Sequence, residues 1–423
     1  METHLADFIK DTPEGQEAEA ILRKCVHCGF CTATCPTYQL LGDELDGPRG
    51  RIYQIKQVLE GAPVTASTQK HLDQCLTCRN CESTCPSGVE YGKLVDIGRK
   101  IVDEQVPRPV TQQLLRTALK EVLPRRWLFG PAMKMGQLVR PLLPKVLQNK
   151  VPAPQSAGTW PTQTHARKVI LLEGCVQPSM MPNINSATAR VLNALNIETL
   201  VVKNTGCCGA LRFHMNDQDG GRADMRRNID AWWPLVERGE IEAIVMNASG
   251  CGVTVREYAH FLQHDAAYAA KAEKISALTR DISEVVFAHL DTLKQKVQRK
   301  GEQAAAFHPP CTLQHGQKIR GITEQILQAC GFKLAAIHDS HLCCGSAGAY
   351  SVLNPEIAYQ LRDNKLNSIE QGLQACSGSG CQNNGGASIL SANIGCLTHL
   401  QSGTERPVNH WIEAIDQLLN TLD

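Results

Sequence analysis

The sequence lacks several features that would point to a function at once. No apolar run reaches about 18 residues, so no segment is predicted to cross a membrane as a helix. The formal net charge is only +1, which is unlike the strongly basic chains that bind nucleic acid, and we expect no nucleic-acid partner. No Gly-x-Gly-x-x-Gly run follows a candidate strand, so the chain has no recognisable nucleotide-binding motif.

The N-terminal segment Met1–Lys24 is polar and acidic, without the apolar core and cleavage pattern of a signal peptide. We therefore expect a cytoplasmic protein, in a compartment where thiols stay reduced. There, clustered cysteines more often bind metal or carry out redox chemistry than form disulfides. The 19 cysteines are therefore informative, because most of them fall into ordered groups.

Two runs with the spacing C-x2-C-x2-C-x3-C-P, at Cys25–Pro36 and Cys75–Pro86, are the strongest motif. Each iron of a 4Fe–4S cube takes one outer ligand, and thiolate is the soft donor that suits it. In two-cluster ferredoxins, the fourth cysteine of each run binds the other cluster. The runs predict two 4Fe–4S clusters, one bound by Cys25, Cys28, Cys31 and Cys85, the other by Cys75, Cys78, Cys81 and Cys35.

The spacer between the runs favours a helical ferredoxin domain over a β-rich one. The 39 residues from Pro36 to Gln74 exceed what a compact bacterial ferredoxin needs, and Arg51–Glu60 among them has helical periodicity. The flanks Ile9–Leu22 and Ile97–Val102 are also helix-like. We expect an α-helical two-cluster domain over residues 1–106.

A basic helical linker is expected over residues 107–166. It has nine Lys or Arg residues and one acid, Glu121, between Arg108 and Lys150, with apolar residues interleaved. Such a segment can lie on an anionic membrane surface, which would make the protein peripheral on the inner face of the cell membrane. A solvated linker or a partner-docking face is the favoured interpretation.

The rest of the chain contains an internal duplication, with a first repeat at 167–300 and a second repeat at 301–423. In each repeat, one cysteine precedes a Cys-Cys-Gly group by 32 residues, and a further cysteine follows a later strand. Alternating strands and helices predict an α/β fold with a mostly parallel sheet. The predicted fold class is thus α+β multidomain, with the helical ferredoxin domain first and the duplicated α/β domain second.

The repeats supply two candidate ligand sets at the carboxyl ends of strands, where ligands of such sheets bind. The first repeat site comprises Cys175, Cys207, Cys208 and Cys251, and the second comprises Cys311, Cys343, Cys344 and Cys396. Buried cysteines acting as small hydrophobic side chains would not explain the duplicated spacing. Cys381, in the Ala375–Gly386 loop that the first repeat lacks, is a second-ranked rival to Cys396.

Other residues near the cysteines leave two interpretations each. Histidine can replace thiolate as a cluster ligand, but a hydrogen-bonding role is favoured for each of His214, His308, His315, His341 and His399. Arg49 and Arg51 either raise a cluster potential by their charge or pair with Asp43, Glu44 and Asp46, and the sequence does not decide between the two.

The repeats resemble the cysteine-rich CCG domains of heterodisulfide reductase catalytic subunits, through Cys207-Cys208-Gly209 and Cys343-Cys344-Gly345. In that family the last element is C-x2-C, which supplies the fifth ligand of a noncubane cluster. Here Thr254 and His399 stand at the corresponding positions. The departure leaves an ordinary iron–sulfur cluster or a bare thiol site as the expectation.

Over essentially its whole length the chain resembles the iron–sulfur subunits of bacterial glycolate oxidase (glycolate dehydrogenase). The matching segments are Cys35–Tyr38, Gly42–Ile52, Cys85–Val89 and Pro407–Glu413. The resemblance implies an electron-transfer subunit that takes electrons from FAD-containing dehydrogenase subunits and passes them towards a membrane quinone. The missing nucleotide motif agrees, because hydride removal needs an organic cofactor while iron–sulfur centres move single electrons. We expect no flavin in this chain and no catalysis by it alone.

Three alternatives remain. The first is the iron–sulfur subunit of a lactate or glycerol-3-phosphate dehydrogenase. The second is a thiol–disulfide reductase acting at the repeat sites, against which the missing C-x2-C argues. The third is a zinc-stabilised scaffold, which would leave both x3-C-P tails without a role.

Overall fold

The structure, a computed structural model, describes residues 1–144, 148, 151–297, 303–378 and 387–419. The N-terminal part is helical and the remainder contains two parallel sheets. The N-terminal helices are Pro13–Lys24 (α1), Pro36–Leu41 (α2), Pro48–Leu59 (α3), Ala66–Asp73 (α4), Asn80–Thr84 (α5), Tyr91–Gln105 (α6), Val110–Val122 (α7) and Arg126–Val139 (α8), with 3-10 turns at Glu44–Asp46 and Arg140–Leu142.

Helices α1, α3, α4 and α6 pack around one small apolar core. Helix α1 begins at Pro13, where the Thr12 hydroxyl accepts the Gly15 N–H, and α3 also begins with proline, whose missing N–H costs nothing there. Helix α6 approaches α3 closely because Gly98 has no side chain, and a Cβ there would lie 2.6 Å from Ile55. The three helices expected in this region are confirmed, with shifted ends.

The two repeats form two four-stranded parallel sheets with the same strand order. The first sheet, ordered β2-β1-β3-β4, and the second, ordered β6-β5-β7-β8, confirm the parallel α/β expectation. Strands β4 and β8 have three residues each and were not predicted. The strands are Arg167–Leu171 (β1), Ile197–Leu200 (β2), Ala243–Met246 (β3), Thr279–Asp281 (β4), Gln303–His308 (β5), Phe332–Leu334 (β6), Ser388–Ser391 (β7) and Val408–His410 (β8).

Helices connect the strands in both repeats. They are Gln177–Met180 (α9), Asn183–Ala194 (α10), Ala210–His214 (α11), Gln218–Glu237 (α12), Ser249–Arg256 (α13), Tyr258–Phe261 (α14), Ala269–Leu278 (α15), Ile282–Phe287 (α16), Leu290–Lys296 (α17), Ile322–Ala329 (α18), Tyr350–Leu353 (α19), Pro355–Gly378 (α20), Ile394–Gln401 (α21) and Trp411–Leu419 (α22), with a π-helical turn at Thr312–Gly316. The expected loop at Ala375–Gly386 begins later than predicted, because α20 continues to Gly378. Residues 379–386, including Cys381, lie outside the described residues.

The repeats share one apolar core. Helix α10 of the first repeat packs against α22 at the end of the second, and Leu192 and Trp411 belong to the same buried cluster. Arg190 on α10 pairs with Asp416 on α22 at 2.7 Å. The repeats therefore form one folded body, and the first repeat has a further apolar cluster of its own on the other face of its sheet.

Among the residues that the structure describes, no helix is both long and apolar enough to cross a membrane. Helices α7 and α8 instead run along the surface, and α8 packs against α9 of the first repeat.

Candidate metal centres

The two ferredoxin runs share an unusual backbone that presents N–H groups to the cysteine sulfurs. Positive φ angles recur at the same two positions of each run, at His27 (54°) and Gly29 (87°), and at Thr77 (50°) and Arg79 (59°). Such alternation turns successive N–H groups to one side and forms the concave nests that hold iron–sulfur groups. The Thr77 N–H accordingly donates to Sγ of Cys75 at 3.4 Å.

Each predicted cysteine set lines its own cavity. A cavity of about 450 Å³, cavity I, is lined by the first set together with Cys81, and a cavity of about 310 Å³, cavity II, is lined by the second set. The fourth cysteine of each run thus faces the cavity of the other run, as the two-cluster pattern requires. The first set is Cys25, Cys28, Cys31 and Cys85, and the second is Cys35, Cys75, Cys78 and Cys81.

The donors in both cavities fit a 4Fe–4S group. Five thiols line cavity I and four line cavity II, and backbone N–H groups donate to Cys25 in the first and to Cys75 in the second. Burial raises the pKa of Cys31 to about 11 and raises the pKa of Cys78 and Cys81. As free thiols these cysteines would stay protonated, so binding metal there releases protons.

The two arginines of the spacer have different roles. Arg49 is half-buried, lines cavity I, and pairs with Glu44 at 2.6 Å. Arg51 is buried, lines cavity II, and donates to Asp46 at 3.1 Å and to the Thr37 hydroxyl at 3.0 Å. Arg51 therefore forms the expected ion pair and also brings a positive charge to the edge of cavity II, so its effect on a cluster potential stays a prediction.

In the first repeat site the four thiols lie together at the carboxyl edge of the sheet. Cys175 follows β1, the Cys207-Cys208 pair follows β2, and Cys251 is near the start of α13 after β3. Hydrogen bonds from the thiols of Cys175 and Cys208 hold the pKa of Cys207 well below its ordinary value. Cys208 is also hydrogen-bonded to Cys251, so each of the four thiols contacts another member of the set.

The second repeat site has the same arrangement. Sγ of Cys311 lies 3.7 Å from Sγ of Cys343, and the thiol of Cys344 is hydrogen-bonded to those of Cys343 and Cys396. Cys396 stands five residues after the end of β7, just as Cys251 stands five residues after β3. The structure thus places the favoured candidate beside the other three cysteines, while its rival Cys381 falls outside the described residues.

The glycine of each Cys-Cys-Gly group is required by geometry. Gly209 and Gly345 have φ angles of 97° and 91°, and a Cβ on either would meet a backbone carbonyl, that of Gly221 at 2.9 Å or of Ala358 at 2.5 Å. This turn lets the Gly345 N–H donate to Sγ of Cys343 at 3.4 Å. The glycine therefore sets the position of the paired thiols.

The second ferredoxin run packs directly against the second repeat. Cys78 and Leu76 belong to one apolar cluster with Cys311 and Cys343. Two hydrogen bonds support the contact: the Asn80 side chain donates to the His341 carbonyl at 3.2 Å, and the Ser83 hydroxyl lies 3.0 Å from Nδ1 of His315. Cavity II and the second repeat site are therefore neighbours.

Residues next to the two repeat sites contact each other. The Ser249 hydroxyl lies 2.7 Å from that of Thr312, and the Ser249 N–H donates to the Ala392 carbonyl at 3.1 Å. Asn393, next in the chain, directs its amide to Sγ of Cys396 at 3.8 Å. Polar loops thus separate the first repeat site from the second.

Two buried side chains lie near the second repeat site, Lys365, which was not predicted from the sequence, and His308, whose favoured hydrogen-bonding role is not observed among the described residues. Lys365 on α20 is buried, and its ammonium donates to the Asp339 carbonyl at 2.6 Å. His308 ends β5, and burial holds its pKa well below the ordinary value, so the ring is neutral. Comparing the repeats position by position would have found both, because neither has a like residue in the first repeat.

Comparisons with known proteins agree with this division of the chain. Residues 21–89 match the family described as a 4Fe-4S dicluster domain. Residues 169–256 and 305–401 each match the family described as a cysteine-rich domain, CCG. The two matches to one family confirm the duplication.

One relative extends the likeness to the whole chain. The glycolate oxidase iron-sulfur subunit of Escherichia coli is 51% identical over 99% of this chain and 99% of its own length. The chain belongs to the family of glycolate oxidase iron–sulfur subunits. It is therefore an iron–sulfur subunit of an oxidoreductase complex, and the family resemblance seen in the sequence is confirmed.

Two relatives of lower sequence identity match different shares of the chain. The probable glycolate oxidase iron-sulfur subunit of Bacillus subtilis is 27% identical over 92% of this chain and 90% of its own length. Lactate utilization protein A of Bacillus velezensis is 25% identical, over 56% of this chain and 92% of its own length. The lactate protein therefore matches only part of the architecture.

Proposed function

We propose that this chain is the electron-transfer subunit of a glycolate-oxidising complex, carrying two 4Fe–4S clusters between a flavoprotein and an electron acceptor. The observation that carries the proposal is the packing of Cys78 against Cys311 and Cys343, which puts a ferredoxin cavity beside a repeat site. Cavities I and II share Cys81. Three cysteine sites in a row are the arrangement that a chain of single-electron carriers needs.

The proposed partners are FAD-containing dehydrogenase subunits. Glycolate oxidation releases an electron pair, and a flavin can accept the pair and pass single electrons on. The sequence has no nucleotide-binding motif, so the flavin belongs to the partner. The chain's own residues contribute the sulfur ligands, the N–H groups that bond them, and the buried charge of Arg51.

The acceptor is proposed to be a membrane quinone, reached through peripheral contact of α7 and α8 with the inner face of the cell membrane. No residue of α7 is buried, and Trp127, Leu138 and Leu142 in and after α8 are 72%, 77% and 87% exposed. Basic side chains lie among these apolar ones. A surface of this composition suits anionic lipid headgroups, with the apolar side chains reaching the acyl boundary.

The experiment is purification of the tagged chain from cells that express its partners, followed by glycolate-dependent dye reduction. We expect flavoproteins to co-purify and Cys78→Ser to abolish dye reduction while lowering the iron content. Cys330→Ser is the control, because Cys330 is buried outside every candidate site. Full dye reduction by the Cys78→Ser complex would overturn the proposal.

Substrate assignment needs its own measurement. Lactate and glycerol 3-phosphate should support little dye reduction by the assembled complex compared with glycolate. Faster turnover with lactate would instead favour the function named for the Bacillus velezensis relative. Vesicles with and without anionic lipid test the membrane contact separately, and Trp127→Ser should weaken binding to the anionic ones.

A further inference from the structure

His308 is a buried histidine whose polar atoms lack partners. It lies at the end of β5 with none of its surface exposed. Among the residues that the structure describes, neither Nδ1 nor Nε2 has a hydrogen-bond partner. Buried polar groups without partners are rare and costly, so each one calls for an explanation such as an ion.

The ring of His308 faces the second repeat site. One of its nitrogens and the Sγ atoms of Cys344 and Cys396 all lie within 4.8 Å of one another. Cys311 and Cys343 complete the group, with their sulfurs 3.7 Å apart. Two sulfurs bound to one tetrahedral ion at about 2.3 Å each would be separated by about 3.8 Å. The spacing matches ligands of a shared metal.

The first repeat site lacks this nitrogen donor. Strand pairing aligns β1 with β5, because Leu171 pairs with Val245 as Phe307 pairs with Leu390. The residue after Leu171 is Leu172, which is buried in the apolar core of the first repeat. His308 therefore stands where the first repeat has a leucine, and only the second repeat combines imidazole with thiolates.

A second difference between the repeats lies on the helix behind the cysteines. The carbonyls of Ala358 and Gly221 pack against the Cys-Cys-Gly turns of the second and first repeats. Lys365 follows Ala358 by seven residues, and Asn228 follows Gly221 by the same number, so the two side chains occupy equivalent positions. Asn228 donates to the Cys207 carbonyl at 2.8 Å. A buried ammonium in place of this amide balances the negative charge that several thiolates would bring.

We propose that His308 is a metal ligand, so that the second repeat site holds a centre with mixed imidazole and thiolate ligation while the first has thiolates alone. The metal is thiophilic, either one divalent ion such as zinc or an iron of an iron–sulfur cluster. The proposal concerns the second repeat site and stands whether or not the partner and substrate are those proposed above.

The test is metal analysis and X-ray absorption of the full chain purified without oxygen. His308→Leu copies the first repeat and should lose the metal of the second site, seen as one zinc equivalent or as iron beyond the about eight that two ferredoxin clusters hold. The metal that is lost shows whether the second site holds zinc or an iron–sulfur cluster. His308→Cys should keep the metal and replace its nitrogen scattering by sulfur.

His399→Gln is the matched control. His399 is also buried near α20, but its Nε2 bonds the Ala358 carbonyl at 3.0 Å, so its loss should leave metal content unchanged. The proposal is overturned if His308→Leu and His308→Cys, both folded by circular dichroism, keep wild-type metal content and an unchanged ligand spectrum. A wild-type chain with no metal beyond the ferredoxin irons overturns it as well.

Discussion

Arg51 donates to the hydroxyl of Thr37 at 3.0 Å, and that hydroxyl lies 3.3 Å from Sγ of Cys35. A buried guanidinium is thus joined to a predicted cluster ligand through one hydroxyl. Asp46 balances the charge of Arg51, so the ion pair has no net charge. Its positive member, Arg51, lines cavity II. This arrangement favours the more negative, reduced state of a cluster there.

Replacing Arg51 by Gln should therefore lower the midpoint potential of one ferredoxin cluster. We expect a shift of about 30–60 mV, where about 59 mV corresponds to tenfold in a one-electron equilibrium. Potentiometric titration followed by EPR measures it. Arg49→Gln is the comparison, because Arg49 lines cavity I rather than cavity II and its 38% exposed side chain is partly screened by water, so we expect a smaller shift. Equal shifts in both variants would contradict a special role for Arg51.

The Arg79–Glu257 ion pair should hold the ferredoxin region against the first repeat. Its Nη2 donates to Glu257 at 2.8 Å, and both side chains are mostly buried. Arg79→Met would leave Glu257 without its partner and remove a positive charge near Glu82 and Asp96, at a cost of about 3 kcal/mol. Chemical unfolding and limited proteolysis should show a less stable chain that is cut sooner between the two parts.

A double-mutant cycle with Glu257→Gln checks that the effect belongs to the pair. We expect the double variant to lose about 1 kcal/mol less than the sum of the single variants, because each single change leaves a buried charge alone. Additive losses would show that Arg79 and Glu257 stabilise the chain independently.

Sequence reasoning succeeded where one local pattern determines the structure. The two cysteine sets predicted from the spacing line cavities I and II, and the alternation of strands and helices predicted the parallel sheets of both repeats. It missed β4 and β8, because Thr279–Asp281 and Val408–His410 are short and mostly polar. Such strands form only because a neighbouring strand already supplies the hydrogen bonds.

The contacts between distant segments could not be predicted. Nothing in the spacing shows that α10 meets α22, or that Cys78 lies beside Cys311, since both depend on how the helical region and the repeats pack. His308 had a weak signal, a histidine at the end of an otherwise apolar strand. That signal becomes informative only when Leu172 is known to occupy the same place in the other sheet.

Gly345→Ala should disrupt the second repeat site. The φ angle of 91° disfavours any side chain, and the new Cβ would lie 2.5 Å from the Ala358 carbonyl. We expect a loss of more than about 3 kcal/mol and loss of metal from that site. Gly42→Ala is the control, because its φ is 67° with nothing within 4 Å, so strain alone should cost about 1 kcal/mol. Similar losses in both variants would rule out the close contact as the cause.

Asp281→Asn should change how stability depends on pH. Oδ1 of Asp281 caps α16 by accepting the Ser283 N–H at 2.9 Å, and burial raises the pKa of this carboxyl to about 6. A raised folded-state pKa means that its stabilising contribution is full below about pH 4 and is lost as the pH rises through 6. Asparagine keeps the capping oxygen but does not ionise. Between pH 5 and 7.5 the variant should therefore gain about 1 kcal/mol relative to wild type, measured by urea unfolding under anaerobic conditions.

Asp281→Ala, which loses the cap, should be less stable by about 1 kcal/mol than Asp281→Asn at both pH values. Parallel pH profiles for wild type and Asp281→Asn would show that the carboxyl does not titrate in this range.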